Sequence, residues 1–428
     1  MRILVIGGGG REHALVWKIS RNPSVEKIYA APGNAGIKSL AKCIEVDANN
    51  SEELASFAEE KGVSLTVVGP EAPLVAGIVD VFRSRSLRIF GSTREASQIE
   101  GSKSFAKNLM KKYGIPTGDA VIFDHYNEAI SFVKKETPPF VVKADGLAAG
   151  KGVMVCFDQE SALKALHDCF VAKKFGSAGQ RVLLEEYLEG EEVTVKALTD
   201  GETVLPMLPA QDYKPVFDGD EGPNTGGMGS YCPVPTVDEE TYGNIVNAIL
   251  KPTIQALRTE GIVYQGVLYT GLILTREGPK VLEFNCRFGD PESQAIFPLL
   301  YSDLTEIMMA LIEGNLRDYR LRWSSGVCVT VVVASKGYPA SYEDGFEIKG
   351  LDEAAKMEGV QVFHAGTATH DGKIVTAAGR VLNVSAIGGD FSEARKRAYR
   401  AIEKIHFKGM HFRTDIALRA VQKTAYSR

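Results

Sequence analysis

Long apolar runs are missing from this chain. The longest, around residues 327–334, falls far short of the roughly 20 residues that a membrane-spanning helix needs. The apolar stretch at the N-terminus meets a glycine cluster after six residues, too soon for a secretory leader. Cysteine is scarce, with six residues (43, 156, 169, 232, 286 and 328) and no CxxC pair. This excludes a disulfide frame or a cysteine-built zinc site and reads as reduced thiols in a cytoplasmic protein. No basic run occurs, and 49 Lys plus Arg stand against 54 Asp plus Glu, a net charge of −5. Nothing therefore suggests a nucleic-acid partner. Low-complexity segments and internal repeats are also absent. The seven histidines fall into no Ser–His–Asp or Cys–His arrangement, and His13 reads as packing behind the glycine turn.

What is present is ordinary globular material: 44% apolar and 24% charged residues over 428 positions. At about 100–200 residues per domain, this length suggests two to four domains. The 43 glycines exceed the roughly 7% of average proteins and predict backbone-lined loops. The first hundred residues alternate short apolar strands (3–6, 27–30, 65–68, 88–90) with helical patterns, one of them at 51–61 with Ser51 as its cap. That alternation predicts a doubly wound parallel sheet whose ligand crevice lies at the strand carboxyl ends. Three loops, 7–10, 32–34 and 69–71, follow strands and should gather along that edge. Beyond Gly101 come a helix with Lys103, Lys107 and Lys111, a small α+β unit, a larger segment with strands near 267–274 and 280–285, and a final α+β piece. The expected division is 1–101, 102–323 with a small lid inserted at about 122–190, and 324–428.

Gly7-Gly8-Gly9-Gly10 invites a dinucleotide reading, but the last position of G-x-G-x-x-G falls on Glu12 or His13. The acidic residue expected at the end of the second strand is also missing, since Ala30-Ala31-Pro32 stands there. What remains is a glycine turn at a helix N-terminus, suited to one phosphate or to no ligand.

The run Lys143-Ala144-Asp145-Gly146-Leu147-Ala148-Ala149-Gly150-Lys151-Gly152 misses the Walker spacing. It reads as a hairpin whose amides fold over a polyphosphate, with Lys143 a fixed charge and Lys151 a mobile one. The strand and acidic turn at 183–192 can offer backbone groups to an adenine edge and an acid to ribose hydroxyls. In Glu283-Phe284-Asn285-Cys286-Arg287, strand alternation puts Glu283 and Asn285 on one face and Cys286 in the core. Two oxygen ligands at that spacing suit Mg²⁺, which takes its other ligands from water and phosphate. Arg287 continues the polar face and can clamp a phosphoryl group or a carboxylate.

In this order and spacing, the motifs at 143–152, 185–192 and 283–287 resemble the ATP-grasp superfamily. The segments 7–14, 31–36, 68–74, 222–229 and 283–292 sharpen the resemblance to the phosphoribosylamine–glycine ligase family, over residues 1 to about 420. The resemblance implies ligation of glycine to 5-phosphoribosylamine, with ATP cleaved to ADP and Mg²⁺ or Mn²⁺ as the metal. The alternative is another ATP-grasp carboxylate ligase or carboxylase of nucleotide metabolism. A non-catalytic ATP binder would not need Lys143, Glu283, Asn285 and Arg287 together.

Residue by residue, the resemblance implies that Lys143 and Lys103 meet phosphate oxygens beneath Gly146, Lys151 and Gly152. Glu185, Glu186, Tyr187 and Leu188 frame the adenine, and Glu192 the ribose. Glu283 and Asn285 hold the metal, and Arg287 with Lys143 serves the reacting groups. Gly9, Gly10, Arg11, Glu12, Gly33, Asn34, Pro70 and Glu71 receive phosphoribosylamine. Asp212, Gly227, Gly229 and Asp290 belong to the glycine and ribose region. One departure is visible: Tyr213 and Pro215 stand where the family usually has His and Arg, flanking a retained Lys214. A cytoplasmic, single-activity monomer is expected, with transient contact to the preceding amidotransferase of the purine pathway.

Overall fold

Strand Arg2–Gly7 is buried on both faces from Ile3 to Ile6, as a parallel sheet covered by helices requires. In the computed structural model, which describes residues 1–148 and 152–426, it is the centre of a five-stranded sheet. The order is 42–43, 27–32, 2–7, 65–68, 89–90, and every pair is parallel. The chain leaves the central strand first to one side and then to the other, which makes a topological switch point. Gly7 lies opposite Pro32 and Ile6 opposite Val68, so the three predicted loops meet at that edge. The helix expected from Ser51 does begin there, but Asn50 is its cap, its side-chain oxygen accepting from Glu53 N at 3.3 Å.

Helix Lys103–Tyr113 leads into a four-stranded antiparallel sheet ordered 120–123, 182–186, 140–144, 153–156. Helices Tyr126–Val133 and Gln159–Phe170 pack with it around a separate small core of Phe123, Val142, Leu166 and Leu184. A second antiparallel sheet runs 204–206, 191–199, 266–275, 278–285. The helical pattern at 239–258 is realised in pieces. Glu239–Ile245 and Lys251–Thr259 are joined by a π turn at Val246–Leu250, directly before Pro252, which has no N–H to give.

The last sheet is ordered 211–212, 229–232, 327–335, 380–388, 360–364. Val327–Ser335 is buried throughout and needs a partner on each side. One partner, Gly229–Cys232, comes from the middle of the chain, so chain order and sheet order part company here. No helix among the described residues is long and apolar enough to cross a membrane.

His13 ties the first sheet to the last. Its Nδ1 accepts from His364 N at 2.8 Å, and its ring meets Phe363 edge-on at 5.7 Å. Burial first, and then the neighbouring His364, push its pKa down to about 3; burial alone takes His364 to about 4. Both rings stay neutral in the fold at pH values where the unfolded chain protonates them. Stability from this contact is therefore complete above the unfolded value near 6.5 and is lost as pH falls toward about 3. For His13 alone the loss at pH 5 is about 2 kcal/mol. Urea unfolding at pH 7 and pH 5 checks this. His13→Asn, which can still accept from His364 N, should show a smaller drop between the two, and an equal drop would remove His13 as the source.

Candidate active site

Strand pairing lays out one face of the second sheet row by row. Glu283 lies opposite Gly271, and Gly271 opposite Thr194; Asn285 lies opposite Tyr269, and Tyr269 opposite Lys196. Side chains two apart share a face, so Glu283, Asn285, Thr194 and Lys196 all stand on it. A Cβ on Gly271 would lie 3.0 Å from Glu283 Cγ, so this glycine leaves Glu283 room to lean across the sheet. Burial works against the Glu283 charge, but Lys214, Lys143, Lys103 and Arg287 together hold its carboxyl below the usual range. Asn285 Oδ1 accepts from Arg287 Nη2 at 3.3 Å.

Among the described residues, none donates a hydrogen bond to the Glu283 carboxylate. Nor do they contain a group of three or more His, Cys, Asp or Glu that would hold a metal unaided. An ionised carboxylate and an amide oxygen on one strand are a partial donor set. They fit a hard divalent cation that completes its shell with water and phosphate.

The side of the cleft toward helix Lys103–Tyr113 is dominated by lysines. Glu185 Oε2 sits 2.9 Å from Lys143 Nζ and 3.1 Å from Lys107 Nζ, and all three side chains are buried. Lys143 also donates to Leu282 O, and Lys107 to Thr117 Oγ1 and Gly118 O. Lys103 donates to Gly146 O at 2.9 Å. Burial lowers the pKa of Lys103 and Lys107, with Lys143 adding to it and carboxylates opposing.

Sequence reasoning missed Lys107, although its i,i+4 spacing from Lys103 on one helix was the available signal. It also assigned Glu185 to the adenine, whereas the carboxylate is placed between two ammonium groups. Glu186 accepts from Asp119 N at 3.1 Å, Leu188 packs over Gly118, and Tyr187 meets Phe157 at 5.5 Å. Glu192 pairs with Lys214 at 3.0 Å. Gly152 is buried where the hairpin returns, and Lys151 lies outside the described residues.

At the switch point, Glu12 turns back beneath Gly69, which has no room for a side chain. Its carboxylate accepts from Gly9 N at 2.7 Å and from Arg11 Nε. Gly9 caps helix Gly10–Ile19, and Arg11 reaches Phe288 O at 3.1 Å. Gly33 N donates to Gly7 O, and Pro70 precedes helix Glu71–Ala76. Every polar atom of the Asn34 side chain has a partner: Gly8 O, His364 O, Gly36 N and Ile37 N. That side chain builds the loop and leaves only backbone for a ligand.

Arg287 is held by carboxylates from the first hundred residues, Glu71 at 3.1 Å and Glu100 at 3.1 Å. Glu100 also accepts from Cys286 N and Sγ. Burial raises the Glu100 pKa against the pull of Arg287, while Arg287 and Arg11 outweigh burial at Glu71 and lower it.

Asp290 receives Arg380 at 3.3 Å, Gln294 at 2.9 Å and Arg11 N at 3.3 Å. Gly227 lies against Pro291. Gly229 lies within the last sheet, where a Cβ would approach Thr330 O at 2.7 Å, so strand packing requires it. Burial, helped by Glu292 and Glu192, pushes the Asp212 carboxyl up to about 7 against Lys214 and Lys196. Tyr213, at the family's histidine position, lies under Arg413 (4.7 Å) and accepts from Ala417 N at 3.0 Å. Pro215 O accepts from the same arginine. Glu100, Arg380, Lys196 and Glu292 escaped the sequence reading because each acts through partners far away in the chain.

Converting Glu185 to Gln would leave two buried ammonium groups without their shared counter-charge. Glu185→Gln should therefore destabilise the fold by about 3–5 kcal/mol, as loss of one partner of a buried pair does. Chemical denaturation reads this directly, and an unchanged midpoint would mean the pair is dispensable.

Comparison with known proteins adds family. Three family profiles match in order: the phosphoribosylglycinamide synthetase N domain over residues 1–100, its ATP-grasp (A) domain over 101–293, and its C domain over 328–419. A phosphoribosylamine–glycine ligase of Caldanaerobacter subterraneus subsp. tengcongensis is 53% identical over 417 residues, covering 97% of this chain and 99% of the relative. The crystal structure of the Thermotoga maritima phosphoribosylamine–glycine ligase superposes with a TM-score of 0.85 at 33% identity, covering 97% of this chain and all of that one. The biotin carboxylase domain of the Hydrogenobacter thermophilus 2-oxoglutarate carboxylase, solved with MgADP, ADP and bicarbonate, shares the fold. Its TM-score is 0.74 at 17% identity, with 98% and 97% of the chains covered.

Proposed function

This chain belongs to the phosphoribosylglycinamide synthetase family, and on that premise we propose how its own residues join glycine to 5-phosphoribosylamine with cleavage of ATP to ADP and phosphate. The observation that carries the proposal is the single polar sheet face on which Glu283, Asn285 and Arg287 meet Lys143, Lys103 and Lys214. Phosphoryl transfer needs positioning and charge neutralisation more than a covalent nucleophile. In the first step a glycine carboxylate oxygen attacks the γ-phosphorus and ADP leaves, giving glycyl phosphate. In the second, the phosphoribosylamine nitrogen attacks the glycyl carbonyl, phosphate departs, and the nitrogen gives up a proton.

Lys143 and Lys103 face the phosphates beside Gly146 and Gly152. Glu186, Tyr187 and Leu188 border the base, and Glu192 the ribose. Glu283 and Asn285 would hold a divalent metal, Mg²⁺ or Mn²⁺, which when bound offsets phosphate charge. Arg287 steers the glycine carboxylate or the transferring group. The loops at Gly9–Glu12, Gly33–Asn34 and Pro70–Glu71 receive the phosphoribosylamine phosphate and ribose at the switch point. Asp212 and Asp290 face the glycine ammonium, with Gly227 lining the same turn. The lid at about 122–190 closes over the acyl phosphate and keeps water out, between a substrate-binding unit at 1–101 and the remainder of 102–323, with 324–428 behind. The chain is read as a cytoplasmic monomer in transient contact with the preceding amidotransferase.

ADP release is the direct assay, with phosphoribosylamine generated in situ and glycine present or omitted. ADP formation should require both substrates; formation indifferent to glycine would overturn the substrate and keep the fold. Glu283→Ala should lower turnover by about a hundredfold or more without unfolding the protein. Parental turnover of that variant across a metal titration would remove Glu283 from the metal site.

A further inference from the structure

Lys196 is fully buried, and the proposed reaction does not use it. Its ammonium lies 3.2 Å from Glu292 Oε1 and 2.6 Å from Thr194 Oγ1, over the Tyr269 ring at 4.7 Å. In the sheet it stands in the same row as Tyr269 and Asn285, two strands from the strand that carries the metal ligands. Glu292 opens helix Glu292–Ile296 directly after the Asp290-Pro291 turn, and it is itself buried. Its carboxylate packs so closely under Gly289 that a Cβ there would lie 2.5 Å from Oε2. From the other side, Ser230, which lies opposite Asp212 in the sheet, donates through its hydroxyl to Pro291 O at 3.0 Å. A lysine with no access to water is costly unless its counter-charge is fixed beside it. This one is therefore bound to a single arrangement of the turn.

Resting on the reading of the glycine region given above, we propose that Lys196 is a positioning residue for glycine. By pairing with Glu292 it locks the Gly289–Glu292 turn, so that Asp290 and Asp212 keep the spacing and charge that receive the amino acid's ammonium group. The groups facing Lys196 are Glu292 from the helix, Asp212 and Cys232 from two strands of the last sheet, Tyr269 from the neighbouring strand of its own sheet and Thr194 on its own strand. Removing the cation leaves buried Glu292 and half-buried Asp212 as neighbouring acids that repel, with only Lys214 still opposing, so the ionised form of the cluster appears only at higher pH.

The test is Lys196→Met in the ADP-release assay, with KM determined separately for glycine and for ATP. The glycine KM should rise about tenfold or more while that of ATP changes by less than about threefold. The acid limb of kcat/KM for glycine should move to higher pH. Lys196→Gln, which keeps a donor toward Thr194 and Glu292 without the charge, is the second variant. It should show the same shift of the acid limb even if Lys196→Met folds poorly. Equal effects on glycine and ATP with an unmoved acid limb would reduce Lys196 to a structural role and overturn the proposal. Glycine-independent ADP release by the parent protein would instead overturn the functional reading on which it rests.

Discussion

Buried carboxylates need cations, and in this protein that constraint organises the cleft. Glu185 lies between Lys143 and Lys107, Glu292 meets Lys196, and Arg287 joins Glu100, while half-buried Asp290 and Glu71 meet Arg380 and Arg287. An ionised group out of water is tolerated only when its partner is fixed by the surrounding structure. Here the partners come from different elements: a helix and a lid strand, the second sheet and the helix that follows it, the last sheet, and two short helices of the first hundred residues. The charges balance only when the pieces are assembled, so the site and the tertiary structure are specified by the same contacts.

Arg287 shows what this does for the geometry of the cleft. Its guanidinium is engaged by Glu71 and Glu100. Those acids belong to the first hundred residues, where the switch-point loops gather. A guanidinium held in a fork keeps its orientation for the next anion, which is the preorganisation that electrostatic catalysis relies on. The first hundred residues and the polar strand of the second sheet are thus coupled through one side chain. The Glu100 link is the firmer half, because that carboxylate also accepts from the backbone and thiol of Cys286.

Much of this was legible in the sequence. The parallel sheet followed from apolar runs alternating with helices, and the convergence of its three loops from the rule for switch points. Glu283 and Asn285 on one face followed from strand alternation alone. Local chemistry of this kind is written in neighbouring residues. What stayed hidden was pairing across the chain. Nothing near Glu100 announces that it will bind Arg287, and nothing near Lys196 announces Glu292. Nor does the segment around Gly229 announce a strand, since Gly229–Cys232 is fixed as one by the need of Val327–Ser335 for a second edge partner. What the Asn34 side chain does was hidden for a related reason. A polar residue in a ligand loop reads the same whether its amide faces the ligand or closes the loop, and only the four partners found in three dimensions separate the two.

The replacement at Tyr213 fits the same logic. A histidine or arginine there would bring its own charge and donors beside Lys214. Tyr213 instead packs its ring under Arg413 and accepts from Ala417 N, while Pro215 contributes only a carbonyl to that arginine. Arg413 is fully buried and is neutralised by Asp220 and Asp415. The segment carrying Asp212 and Lys214 is therefore braced from behind by the C-terminal segment. Lys214 remains the cation facing Glu192 and Glu283; despite burial, those carboxylates and Asp212 raise its pKa well above the ordinary value. Changing its two neighbours alters how this lysine is supported from behind, while the positive charge that it presents to the cleft is preserved.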